Sequence, residues 1–307
     1  MPQVQDYIVD PVLTNLSKAY KNDSLLYSQV FPRMMVKSRT GYYYTFDKAR
    51  FKIEESRRTG VSRANRVDYG MSKTSYGPLY EHALEQAIEY EVRDTYPSPH
   101  DARVDATENV SDRLELGLEK EVADLLTSTG TITQNITLSG TSQFSDFANS
   151  DPFSVVQTGI DTVKTGAMVM PNTLIMGYQV FAKLKNHPDL LGRMATSTTR
   201  VLTTQMLADL FGVERVLVGG AMHNTAAEGV AASMSYIWGK DMVLCYVAQR
   251  PGLKSLSVGY TLQMEGARYV DRWDEQAEKA EFVRANDYYE PKVVAAEAAY
   301  LIKAAVA

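Results

Sequence analysis

Met170-Pro-Asn-Thr-Leu-Ile-Met-Gly-Tyr-Gln-Val-Phe-Ala-Lys-Leu-Lys-Asn-His-Pro-Asp189 is the stretch from which the rest of the chain can be read. Pro171-Asn172 is a turn pair, Thr173 to Met176 a short buried strand, and Tyr178 to Lys185 a short helix. His187-Pro188 stops that helix because proline cannot continue it, and His187 reads as a C-terminal residue favoured by the helix dipole. The flanks have the same grammar. Asp151-Pro152 starts a helix, with Asp at the cap and Pro in the first turn, and Val155, Val156, Ile160 and Val163 form its buried stripe as far as Gly166. Thr203 to Phe211 is another helix, closed by Gly212 and followed by a strand from Arg215 to Val218. Helices and strands alternating in this way indicate a compact α/β domain from about residue 150 to 250.

Towards the N-terminus the pattern loosens. From about Pro99 to Ser128, apolar Ala106, Val110, Leu114, Leu118, Val122 and Leu126 recur every four residues, with Leu125 widening the stripe and charges on the other faces. Such a helix would span about 45 Å at 1.5 Å per residue, a spine rather than an ordinary core helix. Tyr96-Pro-Ser-Pro99 ends what precedes it, and Glu81 to Asp94 fits a helix or a strand equally well. Tyr42, Tyr44 and Phe46 alternate with Tyr43 and Thr45 as the start of a ribbon. Asp47 to Arg66 then carries Lys48, Arg50, Lys52, Arg57, Arg58, Arg63 and Arg66 against Asp47, Glu54 and Glu55, a local net +4. Gly60 and Gly70 punctuate the return, so this reads as a long two-stranded loop projecting from the body. The first forty residues hold no lasting period beyond a short helix near Asn15 to Tyr20. They read as an arm that must lie on something else, because alone they cannot bury enough apolar surface to offset their ordering entropy.

Composition narrows the function classes. With 307 residues, 45% of them apolar, the chain can bury a sizeable core, and its net charge of −5 gives no global attraction to nucleic acid. There is no long apolar run and no signal-peptide pattern at Met1 to Asp6, so a soluble, cytosolic product without a membrane partner is expected. Cys245, the single cysteine, sits among Val243, Leu244, Tyr246 and Val247 as a buried strand residue. His82, His100, His187 and His223 have no partners at metal-ligand spacing, and Gly219-Gly220 matches no phosphate-loop pattern. Glu54-Glu55 and Asp271, Asp274 and Glu275 read as solvated charge rather than acid/base pairs, and no G-x-S-x-G elbow occurs. Hence no catalytic, cofactor or metal residues are assigned. Ser257 to Met264 is a strand, Phe282, Val283 and Tyr288 lie in another, and a final apolar strand covers about Val293 to Ile302.

The segment Met170 to Asp189 resembles one found in tailed-phage major capsid proteins. The order around it is similar too: arm, charged extended loop, spine helix, mixed domain, returning strands. The resemblance covers nearly the whole chain in order, although only this segment is motif-like. It implies the α+β Hong Kong 97-type capsid fold: an N-terminal arm at 1–40, an extended loop at 41–80 and a peripheral domain at 81–149 holding the spine helix at about 99–128. An apical domain follows at 150–255, and strands at 256–307 return to the peripheral domain. It further implies a shell subunit assembling into hexamers and pentamers of an icosahedral phage head around double-stranded DNA, in the host cytoplasm. Its partners would be a portal protein, a separate scaffolding protein (no long helical prefix precedes the arm) and a decoration protein, with DNA held by weak non-specific contact.

In that reading the basic loop lies across the adjacent subunit and meets acids of the spine helix, with Glu108, Asp112, Glu115, Glu119 and Glu121 as candidates. Some members of this family join loop lysines to a neighbour's asparagine. Lys48, Lys52 and Lys73 are available here, but nothing in the sequence marks one as activated. Three other readings stand beside this one. An encapsulin-type compartment would be revealed by a neighbouring cargo enzyme, and a nucleic-acid ribbon built from the loop and its tyrosines by salt-sensitive binding of monomers. An enzyme would be revealed by a pocket with convergent polar groups.

Overall fold

The computed structural model describes residues 8–19, 25–46, 52–58, 60, 63–67, 71–95, 101–193, 202–227, 229–252 and 255–307. Two sheets and one long helix organise them. The first sheet is built on the strand Ala280–Val293, which pairs antiparallel with Tyr269–Glu275 and, further on, with Gly259–Met264. Tyr80–Glu89 pairs along its opposite edge, so the segment whose period was ambiguous is a strand, followed by the short helix Tyr90–Thr95. Arg33–Val36 adds in parallel beside Gly259–Met264, and Ile8–Val9 adds beside Tyr269–Glu275.

The second sheet orders its strands as Asn135–Thr137, Ala299–Lys303, Met242–Cys245, Thr173–Gly177 and Arg215–Gly219. The helices Pro152–Ala167, Tyr178–Leu184 and Thr204–Phe211 pack on it through Val156, Ile160, Val163, Val180 and Leu207. Local chemistry explains their ends. Asp151 caps the first by accepting from the Ser154 amide at 3.0 Å, Thr203 caps the third, and Gly212 closes it at φ 70°. The expected single strand over Val293 to Ile302 is instead two strands separated by the short 3-10 turn Ala296–Ala298. The second of them, Ala299–Lys303, joins the α/β sheet beside Met242–Cys245 rather than returning to the first sheet. Pairing of this kind joins residues distant in sequence, and periodicity carries no signal for it.

The spine helix runs from Ala102 to Thr127, shorter than the sequence reading, with Asp101 accepting from the Arg103 amide as its N-cap; Pro97 and Pro99 lie outside the described residues. Its first half packs Ala106 and Val110 against Ile88, Val283 and Ala285 of the first sheet. Its second half packs Leu118, Val122 and Leu126 against Ile175, Val243 and Leu301 of the second. Each buried Leu or Val contributes about 1.5–3 kcal/mol, so the helix is an apolar tie between the sheets, beside the arm residues of the same cluster.

The arm is not loose where it is described. After the helix Pro11–Ala19, Leu25, Leu26, Tyr27, Val30 and Phe31 are buried in the central core. The something else on which this segment lies is its own chain.

Candidate assembly surfaces

Gly41–Phe46 and Met71–Tyr76 pair as an antiparallel ribbon, as their alternation predicts. Tyr43 and Tyr76 root it in a cluster with Met34, Leu79, Tyr260 and Leu262. Beyond that root every described loop residue (52–58, 60 and 63–67) is exposed, and none lies in a strand. Two-stranded pairing is therefore confined, among the described residues, to the base of the loop. The Asn65 side-chain amide donates to the Glu55 carbonyl at 2.8 Å and Lys52 pairs with Glu54 at 2.9 Å. Ile53 is 96% exposed and Val67 74%. Lys52, Arg57, Arg58, Arg63 and Arg66 stand on this outer part; Lys48 and Arg50 fall outside the described residues.

The acids of the spine helix divide into two groups. Glu108, Asp112 and Glu121 are partly exposed. Glu115 and Glu119, expected to face a neighbour, are instead buried within their own chain. The Glu119 carboxylate accepts from the Trp238 indole at 2.5 Å and from the Leu26 and Tyr27 amides at 2.9 and 2.6 Å. It thereby joins spine, arm and α/β domain at one point. Burial pushes its carboxyl above the usual range, and the three donors oppose that shift. Glu115 takes the Arg268 guanidinium at 3.1 Å, with Arg33 at 3.8 Å.

Thr107, Ser111, Glu115 and Glu119 form a second buried row alongside the apolar one. The sequence shows it as an i, i+4 polar row, identical in spacing to a solvated face. Glu281 was also missed. It is 2% exposed and gathers Arg103 at 2.8 Å, Arg93 at 3.2 Å and Arg272 at 3.4 Å. Burial works against its charge, but the hydrogen bonds from Arg103 and Arg93 win and hold its carboxyl below the usual range.

Other expectations need correction. Asp271 is not solvated turn charge; it is buried in a strand, taking the Asn286 amide at 2.8 Å and the Arg284 guanidinium. His187 is buried with Nε2 2.9 Å from the Ser150 hydroxyl, and burial lowers its pKa, which works against the cationic helix end the sequence suggests. Cys245, by contrast, is the buried strand residue expected, its thiol pushed up to about 12 by burial. Among the described residues no group of three His, Cys, Asp or Glu side chains is placed to hold a metal ion, and no helix is long and apolar enough to cross a membrane. A groove of about 400 Å³ runs between Tyr80–Glu89 and the start of the spine helix, lined by Ile88, Val92, Ala102, Asp105 and Ala106.

No family model matches the chain. The major capsid protein of Burkholderia phage BcepMu is 32% identical over 302 residues, covering 96% of each chain. This chain belongs to the phage major capsid protein family. That of Pseudomonas phage JBD67 is 25% identical over 243 residues, 78% of this chain and 77% of its own. The crystal structure of a phage-related protein from Bordetella bronchiseptica RB50 superposes with a TM-score of 0.79 at 26% identity, covering 98% of this chain and 99% of that one. The capsid of cyanophage P-SCSP1u (TM-score 0.63, 8% identity, 93% of this chain and 89% of its own) shares the fold alone. So does an encapsulin from Synechococcus elongatus PCC 7942 (TM-score 0.52, 11% identity, 97% and 95%). The phage major capsid protein described here therefore has the α+β Hong Kong 97-type fold and is a structural shell subunit of the virion capsid, with its family implying a structural rather than an enzymatic role.

Proposed function

We propose that this capsid protein assembles in the host cytoplasm into hexamers and pentamers of an icosahedral head enclosing double-stranded DNA, its basic loop lying across the adjacent subunit. The carrying observation is the loop itself: exposed throughout its described residues, with Ile53 and Val67 in water and a net positive charge on an acidic protein. A segment without a core of its own gains order only by packing elsewhere. Lys52, Arg57, Arg58, Arg63 and Arg66, with Lys48 and Arg50, are its contact residues, and Glu108 and Asp112 remain candidates opposite them. Single exposed ion pairs contribute about 0–1 kcal/mol, so apolar burial and repetition around a closed shell supply most of the cohesion. The division into arm, extended loop, peripheral domain and apical domain belongs to the same proposal. So do a portal protein, a separate scaffolding protein, a decoration protein and weak, non-specific contact with DNA.

The test is electron microscopy of the purified protein beside its Arg57→Glu/Arg58→Glu variant. Wild type is expected to give closed shells, and the variant to remain unassembled with unchanged helix content by circular dichroism. Unaltered particles from the variant would refute the role given to the loop.

A further inference from the structure

The strand Tyr80–Glu89 uses one edge against Ala280–Val293, and among the described residues no strand pairs with its other edge. Ten residues of unpaired edge form a template for another chain, and natural sheets commonly blunt such edges with proline or lysine. Tyr80 to Glu89 contains neither, and no arginine. Its side chains alternate. Leu84, Gln86 and Ile88 face the spine helix and help line the groove of about 400 Å³ and its continuation of about 240 Å³ past Val110 and Arg113. Glu81, Glu85 and Glu89 occupy the alternate positions, about 13 Å from one to the next at strand spacing, with Glu85 and Glu89 also at the rim of the grooves. Leu84 and Val92 are 41% and 45% exposed beside the groove.

We propose that this edge receives the returning limb of the basic loop, residues 63–67, from a second copy of the chain, paired main chain to main chain with Tyr80–Glu89. The inference rests on the shell reading and specifies where the loop docks. The limb is Arg63-Ala-Asn-Arg-Val67, with two positive charges and no acid. Placed as a strand, it directs Arg63, Asn65 and Val67 towards the groove, whose lining includes Ile88, Val92 and the carboxylate of Asp105, and Arg66 towards the glutamate face, because successive side chains alternate. Charge complementarity therefore selects the loop as occupant, backbone pairing supplies affinity and the groove fixes register. The same contact covers the unpaired edge and the exposed valine together.

Two measurements test this. Hydrogen exchange at those backbone amides of residues 80–89 that point away from Ala280–Val293 should slow by about tenfold or more when wild-type protein goes from unassembled to assembled. A Val67→Cys/Val92→Cys variant, oxidised as shells, should run as a ladder of covalent multimers on a non-reducing gel. Either single variant should run as monomer, since Cys245 is buried. Shells whose 80–89 amides exchange as fast as before assembly overturn the docking site and leave the shell reading intact. Protection without a ladder gives the edge to another segment and likewise overturns it. If wild type forms no shells even when expressed together with the proposed scaffolding protein, the shell reading fails and this inference falls with it. Should the paired cysteines prevent assembly, exchange at residues 63–67 of wild-type shells takes the ladder's place: protection there together with 80–89 supports the pairing, and fast exchange at 63–67 overturns it.

Discussion

Replacing Glu119 by Ala should destabilise the subunit as much as truncating a buried apolar residue of the spine helix, although the residue is charged. The substitution leaves three buried donors without an acceptor: the Trp238 indole N–H and the amides of Leu26 and Tyr27. Each orphaned buried donor costs about 1–3 kcal/mol. Part of that is offset, because burial already opposes ionisation of this carboxyl and the variant no longer buries it. The expected net loss is about 2–5 kcal/mol. Glu119→Gln keeps the volume and one acceptor but turns an N–H towards the remaining donors, so it should fall between wild type and Ala. Urea unfolding of the unassembled subunit, followed by circular dichroism and by tryptophan fluorescence, measures both. Trp238 sits at the site, so its emission should also shift to the red in the Ala variant as water reaches the indole. The reasoning is refuted by an Ala variant within about 0.5 kcal/mol of wild type, the range of an ordinary surface substitution. It is equally refuted by a Gln variant less stable than Ala.

Three further outcomes follow from the same packing. The carboxyl of Glu281 is held below its ordinary range in the fold, so the stability it contributes is complete at neutral pH and disappears as pH falls below about 4 through that lowered value. Denaturation at several pH values should show Glu281→Gln less stable than wild type at pH 7, with the gap closing in acid; a pH-independent gap would contradict this. Cys245 should resist thiol reagents at pH 8 in the native subunit and react fully in denaturant, since it is buried with its thiol pushed up to about 12; rapid native labelling would show that its strand opens. Gly177→Ala places a Cβ 2.0 Å from the Gly239 carbonyl oxygen, a backbone atom that cannot swing aside, and should cost about 3 kcal/mol or more in thermal or urea unfolding, or abolish folding.

What the sequence determined by itself was local. Helix ends at Asp151, Thr203 and Gly212, the strand Thr173–Gly177, the ribbon starting at Tyr42 and the four-residue stripe of the spine all rest on caps, turns and periods that act within a few residues, and all are present. The basic loop was legible as charge, and its exposure follows from having no apolar period.

Only the tertiary structure decided which sheet each strand joins. Ala299–Lys303 sits beside Met242–Cys245 because two apolar strands far apart in sequence share one core, and no window of residues encodes that partner. It also decided the fate of charge. Glu115 and Glu119 have the spacing of a solvated face, yet the spine helix is covered on two adjacent rows, so both are buried and must be satisfied by Arg268, Trp238 and the arm. A carboxylate's burial depends on what the rest of the chain lays over it, and that is a property of packing rather than of pattern.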